Sequence, residues 1–178
     1  MSKKLIALVG ASATGKSTVE TILQKEWGMK KAISCTTRPK RDYEKHGVDY
    51  YFLAKTEVEE MEQEGLLVEK TSFNGWTYCL TQAEFEDSDV VVIEPNGLRQ
   101  IIEKVGRKNV FIVYLTYPDK ERLIRSLVAR NDNDVDEVIR RFQADKKDMQ
   151  GMEDIADIII RNNDSHKTAQ MIHAIVNI

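Results

Sequence analysis

Gly10-Ala11-Ser12-Ala13-Thr14-Gly15-Lys16-Ser17 fills the pattern G-x-x-x-x-G-K-[ST] at every fixed position. Its flanks decide how it is read. Leu5 to Val9 is an unbroken apolar run, as expected of a strand buried on both faces, and Val19, Ile22 and Leu23 recur at helical spacing. Strand, glycine-rich turn and helix form the context in which this pattern cradles a nucleotide phosphate; a merely structural glycine turn would not need it. Glycine serves where backbone amides close around phosphate oxygens, because a side chain would hold the backbone away or resist positive φ. The helix N-terminus adds partial positive charge. The segment Gly10 to Thr18 is therefore predicted to hold a nucleotide's phosphates, with Lys16 reaching the β and γ groups and the Ser17 hydroxyl on magnesium.

Outward from the cradle the alternation repeats. Val90 to Ile93 precedes a helical pattern through Leu98, Ile101 and Ile102, and Val110 to Leu115 precedes one through Leu123 and Leu127. Alternating strands and helices predict an α/β fold, a parallel sheet with helices on both faces. Ile158 to Ile160 reads as the last strand, followed by a terminal helix burying Met171, Ile172 and Ile175.

From Ser34 to about Leu80 the pattern changes to short, polar-interrupted strands around one helix, which reads as an inserted subdomain. Thr56 with Glu59 has the spacing of a capping box, and Gly65 suits a left-handed helix end. Leu66 to Phe73 and Trp76 to Leu80 flank Asn74-Gly75, a hairpin turn signal that predicts a small antiparallel sheet. Asn131 to Asp134 is a second irregular piece, polar and acidic, that reads as a flap.

A chain of 178 residues with 42% hydrophobic and 31% charged residues fits one folded domain. A formal net charge of -3 and the lack of a long basic stripe argue against polymeric nucleic acid as a partner. The apolar run after Lys3 and Lys4 is far short of a signal peptide or membrane span, so a cytoplasmic location is expected. Cys35 and Cys79 lie in no metal-ligand spacing and read as ordinary thiols.

Ser34-Cys35-Thr36-Thr37-Arg38-Pro39-Lys40-Arg41 gathers hydroxyls and guanidinium groups, and Gly47-Val48-Asp49-Tyr50-Tyr51-Phe52 adds phenols. Arginine forks match a phosphate monoester bidentately, and tyrosine hydroxyls can fill its remaining acceptor sites. Together with the cradle, the pattern S-x-x-T-R-x-x-R followed by G-V-D-Y-x-F resembles the guanylate kinase family over nearly the whole chain. That resemblance implies a P-loop three-layer α/β/α fold whose core comprises residues 1–33, 82–126 and 146–178. It implies a nucleoside-monophosphate-binding subdomain over 34–81, a lid over 127–145, and phosphoryl transfer from magnesium-bound ATP to GMP or dGMP.

By the same resemblance Ser34, Arg38, Arg41, Tyr50 and Tyr78 hold the acceptor's phosphate and Glu69 reads guanine, with Glu94 beside it. One carboxylate can accept from both N1–H and the N2 amino group of guanine, a donor pair that adenine lacks. Arg130 and Arg141 look like the lid arginines that neutralise the transferring group, with Arg140 an alternative carrier; Asn162 looks like the contact to adenine. The chain departs from the family at three places. Cys79 and Leu80 stand where a glycine and a base-reading hydroxyl are usual, with Thr81 the candidate substitute. Val92-Ile93-Glu94 replaces D-x-D, losing the carboxylate that in the family lies near magnesium. Asn131 stands where glycine is common.

Two other readings remain beside this one: a kinase for a different nucleotide or small phosphate ester, which Leu80 leaves open, and a non-catalytic phosphopeptide-binding module of the same fold. The intact Gly15-Lys16-Ser17 and the paired lid arginines argue against the module. A regulatory GTPase is disfavoured because no Asn-Lys-x-Asp element follows a strand.

Overall fold

A computed structural model describes residues 4–73, 75–117 and 147–176. The apolar run becomes β1 (Leu5–Val9), every residue of which is buried. Parallel pairing joins it to β6 (Val90–Val92) on one side and β7 (Val110–Thr116) on the other, and β7 pairs with β8 (Ile158–Arg161), giving the order β6-β1-β7-β8. Burial on both faces explains why β1 carries no polar residue. Leu5, Ala7 and Val9 face one apolar layer, built with Leu98 and Ile101 of α4 (Pro95–Val105) and Met152 of α5 (Met152–Ile155). Ile6 and Leu8 face the other, built with Val19, Ile22 and Leu23 of α1 (Lys16–Trp27) and Ala169 and Ile172 of α6 (Ser165–Val176). The result is the α/β fold expected, with helices on both faces of a parallel sheet.

The second sheet has the order β3-β2-β5-β4, from β2 (Cys35–Thr36), β3 (Tyr51–Phe52), β4 (Leu67–Phe73) and β5 (Trp76–Thr81). The β4–β5 hairpin is antiparallel, and Gly75 takes the positive φ of 79° that its turn requires. The sheet is mixed rather than wholly antiparallel, because β2 and β3 run parallel. Helix α2 (Lys55–Gln63) packs Val58 against Cys35, Leu67 and Cys79. Cys35 and Cys79 face each other directly across β2 and β5 as free thiols, a juxtaposition their sequence separation conceals. Helix α3 (Gln82–Asp87) returns the chain to the first sheet.

Two local expectations are corrected. The N-cap of α2 is Ala54, not Thr56, and Glu57, not Glu59, closes the turn by accepting the Ala54 N–H at 2.6 Å. Pairing of Leu53 N–H with Thr36 O keeps the chain extended up to that point, so the helix starts where the strand lets go. Gly65 does end the turn after α2, at φ 72°. In α6 the buried stripe is Thr168, Ala169 and Ile172, whereas Met171 is 48% exposed. The helix through Leu123 and Leu127, the flap and the lid lie outside the described residues.

Sheet two is fastened to the core through polar main-chain bridges. Gln100 of α4 accepts the Lys70 N–H at 2.9 Å and donates to Lys70 O at 3.0 Å, so its side-chain amide extends the β4 edge like one more residue of strand. Lys104 donates to Gly65 O at 2.9 Å and to Leu67 O. Among the described residues no helix is long and apolar enough to cross a membrane.

The stripe on α6 gives a direct test. Ile172→Ala is expected to lower unfolding free energy by about 2–5 kcal/mol, as for other buried isoleucine truncations. Met171→Ala should stay within about 0.5 kcal/mol, both read from urea denaturation curves.

Candidate active site

The cradle leaves β1 at its C-terminal end, and its shape is fixed by contacts that admit no side chain. A Cβ at Gly10 would lie 2.3 Å from the Leu115 carbonyl oxygen, and one at Gly15 would lie 2.5 Å from Asn162 Nδ2. Gly15 also has φ 89°, and Ala13 is turned to φ 64°, a left-handed setting that aims the loop's backbone and is uncommon for a residue with a Cβ. Thr14 Oγ1 donates to Ala11 O at 2.9 Å, closing the loop on itself. Lys16 Nζ donates to Gly10 O at 2.6 Å and Ala11 O at 3.0 Å, folded across the cradle's mouth. Ser17 and Thr18, in the first turn of α1, are exposed.

Asn162 has a different place from the one expected. It is 1% exposed, too enclosed to offer its amide to a base, and its Nδ2 donates to Thr14 O at 2.8 Å while its Oδ1 accepts from Thr168 Oγ1 at 3.0 Å. It therefore supports the cradle from beneath, tying the end of β8 to the phosphate loop.

Arg38, Tyr50 and Tyr78 come together as the sequence suggested. The Arg38 guanidinium carbon lies 5.7 Å from the ring centres of Tyr50 and of Phe52, and the Tyr50 and Tyr78 rings are 5.9 Å apart. Ser34 sits at the foot of this group, its carbonyl accepting the Tyr51 N–H at 3.0 Å. Arg41 is more open: its side chain is 59% exposed and donates to Tyr43 Oη at 2.9 Å.

The organiser of these cations is a residue that sequence reasoning did not single out. Glu44, 6% exposed, takes a forked pair of bonds from Arg38 at 3.0 and 2.7 Å and accepts the Arg41 N–H at 2.8 Å. The Arg38 hydrogen bond holds its carboxyl below the usual range, and Glu44 in turn keeps Arg38 firmly protonated, with Tyr78 as a further hydrogen-bond partner. Its signal was present only as a lone acidic residue three places after R-x-x-R.

Glu69 on β4 is 7% exposed, and its Oε2 has no hydrogen-bond partner among the described residues. Burial pushes its carboxyl up to about 7. A Cβ at Gly97 would stand 3.1 Å from Oε2, so the bare backbone at the start of α4 is what makes room for this carboxylate. An unpaired buried acceptor is costly, and such atoms in native sites await a partner that binds.

Thr81 is not brought to that side. Strand alternation sends Cys79 and Thr81 toward α2, and Tyr78 and Leu80 toward Glu69's face. The Thr81 hydroxyl accepts the Glu84 N–H at 3.1 Å as the N-cap of α3. Leu80, opposite Glu69, is fully buried in the core. Glu94 is exposed at the N-cap of α4, three residues before Gly97. Arg130 and Arg141 lie outside the described residues.

A magnesium ion fits this donor set in one respect: it takes oxygen ligands, keeps waters and relies on substrate phosphates more than on a protein cage. The Ser17 hydroxyl, at the mouth of a cradle whose Gly10 and Gly15 have no room for a Cβ, is such a donor, and no group of three or more acidic, histidine or cysteine side chains among the described residues forms a cage.

The Arg38–Glu44 pair makes a prediction independent of any ligand. Glu44→Ala should lower unfolding free energy by about 1–3 kcal/mol by leaving a largely enclosed guanidinium unpaired, more than Arg41→Ala does. Because the Glu44 carboxyl is held below its ordinary value, the stability it supplies is present at neutral pH and is lost as pH falls through that depressed value. Urea titrations at pH 7 and pH 4 should show the variant's deficit shrinking in acid.

Comparison with known proteins agrees with this architecture. The family profile described as guanylate kinase matches residues 2–177. The chain is 31% identical to a guanylate kinase of Nostoc sp., covering 97% of this chain and 88% of that one. It is 33% identical to a guanylate kinase of Lactococcus lactis subsp. lactis, covering 97% and 86%. The crystal structure of guanylate kinase from Anaplasma phagocytophilum superposes with a TM-score of 0.73 at 23% identity, over 98% of this chain and 85% of that one, a likeness of fold. With the glycine cradle, the arginine–tyrosine cluster and the buried acidic residue on β4 all in one fold, the chain belongs to the guanylate kinase family.

Proposed function

We propose that this protein transfers the γ-phosphoryl group of ATP to the phosphate of GMP or dGMP. The observation that carries the base assignment is Glu69, a buried carboxylate with an oxygen left open on the same sheet face as Tyr78. Guanine offers N1–H and N2–H together to such a carboxylate; adenine would leave it unpaired. Leu80 removes the hydroxyl that would meet guanine O6, so discrimination rests on Glu69, with Glu94 at its edge.

Donor and acceptor phosphates are both anions, and the catalytic task is to hold them in line and neutralise their charge. The amides from Gly10 to Ser17 grip the donor's phosphates. Lys16 exchanges the loop carbonyls it now touches for the β and γ oxygens, a short swing for a long flexible chain. Arg38, fixed by Glu44, and Arg41, exposed beside it, approach the acceptor phosphate with Ser34, Tyr50 and Tyr78 completing its hydrogen bonds. Residues 34–81 thus act as the acceptor subdomain, and residues 127–145 as a lid bringing Arg130 and Arg141 over the transferring group while excluding water. The Ser17 hydroxyl would hold magnesium, which would supply neutralising positive charge to the donor's phosphates.

A coupled assay across ribo- and deoxynucleoside monophosphates tests this reading. GMP and dGMP are expected to gain phosphate from ATP; transfer to none of them while ATP still binds would refute it. Lys16→Ala and Arg41→Ala should each reduce turnover at least about a hundredfold, the usual loss of one transition-state charge partner. The pH dependence is set by Glu69. Its folded value near 7 lies above the ordinary 4.5, so the free protein loses stability as pH rises between these limits. GMP binding requires the ionised form, and its affinity should drop as pH falls below about 7. Glu69→Gln should weaken GMP about tenfold or more at pH 8, through one mismatched buried hydrogen bond. It should also remove that part of the pH slope not due to the nucleotide's own phosphate.

A further inference from the structure

Glu20 stands on α1 one turn after Lys16 and Ser17. Helical side chains lean toward the helix N-terminus, so its carboxylate is directed back over the turn that carries the lysine and the hydroxyl. Helix α1 also packs beside β6, the edge strand of the main sheet. The Ile93 N–H, just past β6, donates inward to Leu8 O, and the Val90 N–H of β6 donates outward to Lys30 O. Alternation turns the Val92 N–H outward as well, to the side where β6 has no neighbouring strand. The Glu20 carboxylate accepts it, with the Lys31 ammonium as the opposite charge nearby. Across the cleft, Tyr50 is close enough for the Glu20 charge to raise its phenol. Cradle, end of β6 and acceptor cluster thus converge on one carboxylate.

An anion at that point confronts the phosphates of both substrates, and like charges at such range repel unless a cation lies between them. Position 92, where the family has a carboxylate, is a valine here and has none to offer. We propose that Glu20 is the carboxylate that positions the magnesium of bound ATP, supplied from α1 in place of the one that β6 lacks. Its environment is consistent with a cation partner, because burial pushes the carboxyl up to about 7 despite Lys31 and the Val92 N–H. A divalent ion would add positive charge beside those two groups. The carboxylate absent from the strand is then supplied by the helix.

The proposal rests on the ATP half of the assigned function, and its test contains no acceptor. Manganese binding to the full-length protein with a non-hydrolysable ATP analogue is measured by electron paramagnetic resonance, alongside calorimetry of the analogue without metal. Glu20→Gln, which keeps an oxygen for the Val92 N–H, is expected to weaken manganese about tenfold or more with no loss of metal-free nucleotide affinity. Glu20→Asp should fall between, and Glu20→Gln combined with Val92→Asp should recover most of the loss. Unchanged manganese affinity in Glu20→Gln and Glu20→Asp would overturn the proposal. So would a parallel fall in metal-free nucleotide affinity, which marks a structural role. Failure of the natural protein to bind the manganese–nucleotide pair would overturn the donor assignment and this proposal with it, whereas failure to use GMP would leave both standing.

Discussion

Between the Leu115 carbonyl and the Cα of Gly10 there is no room for a single methyl group, and the whole site is laid out from that contact. It presses the start of the phosphate loop against β7, while Asn162 holds the loop's middle by the Thr14 carbonyl and Gly15 allows the approach. Anchored at both ends, the loop has its backbone direction decided by the sheet rather than by its own weak preferences. That is how Ala13 is kept at a positive φ, a setting that carries a penalty of about 1 kcal/mol for a residue with a Cβ. A loop held this way meets phosphate already shaped, so binding is not diminished by the entropy of ordering it.

The acceptor side solves a different problem. Two arginines crowded with two phenols would spread apart in the free protein, and Glu44 prevents this by taking both ends of the Arg38 fork and the Arg41 amide. A counter-ion placed behind the guanidinium group leaves its charge available in front, weakened but oriented. Arg41 is exposed, and its guanidinium is held at the surface by the Tyr43 hydroxyl rather than enclosed in the Glu44 fork. One arginine is enclosed and the other exposed, which suits the proposed pocket for an acceptor phosphate.

Legibility in the sequence followed how local each signal was. β1 could be read outright because burial on both faces leaves no polar residue in Leu5–Val9, and the cradle because its glycines answer to steric demands a few ångströms away. Thr56 and Glu59 misled because strand pairing at Leu53, not the capping chemistry of the helix, decides where α2 begins. Met171 misled because the buried stripe of α6 is centred on Thr168, whose hydroxyl is bound to Asn162. Thr81 lay one residue from the wanted position, but one residue in a strand is the opposite face. Glu44 and Glu20 carried no motif at all. Their meaning comes from what other elements bring to them: two arginines of the preceding loop for one, and the open edge of β6 for the other.

Glu20 and Glu69 share an unusual condition, carboxyl groups that burial pushes up to about 7. In a protein tuned only for stability such groups would be neutralised by a lysine or replaced by glutamine. The proposed roles account for the difference, one at the junction of the proposed phosphate sites and the other at the proposed place of the base. On these proposals each lacks a complement that a substrate complex carries: a metal ion in the first case, a pair of ring donors in the second. Because the complement arrives only with the correct ligand, the desolvation that destabilises the free protein becomes discrimination in the bound one. Adenine brings no donor pair to Glu69, and ATP without its metal brings nothing to Glu20 but repulsion. The free protein is therefore least satisfied at the two points where selectivity is required, and the apolar layers on either face of β1 are what allow the fold to carry that imbalance.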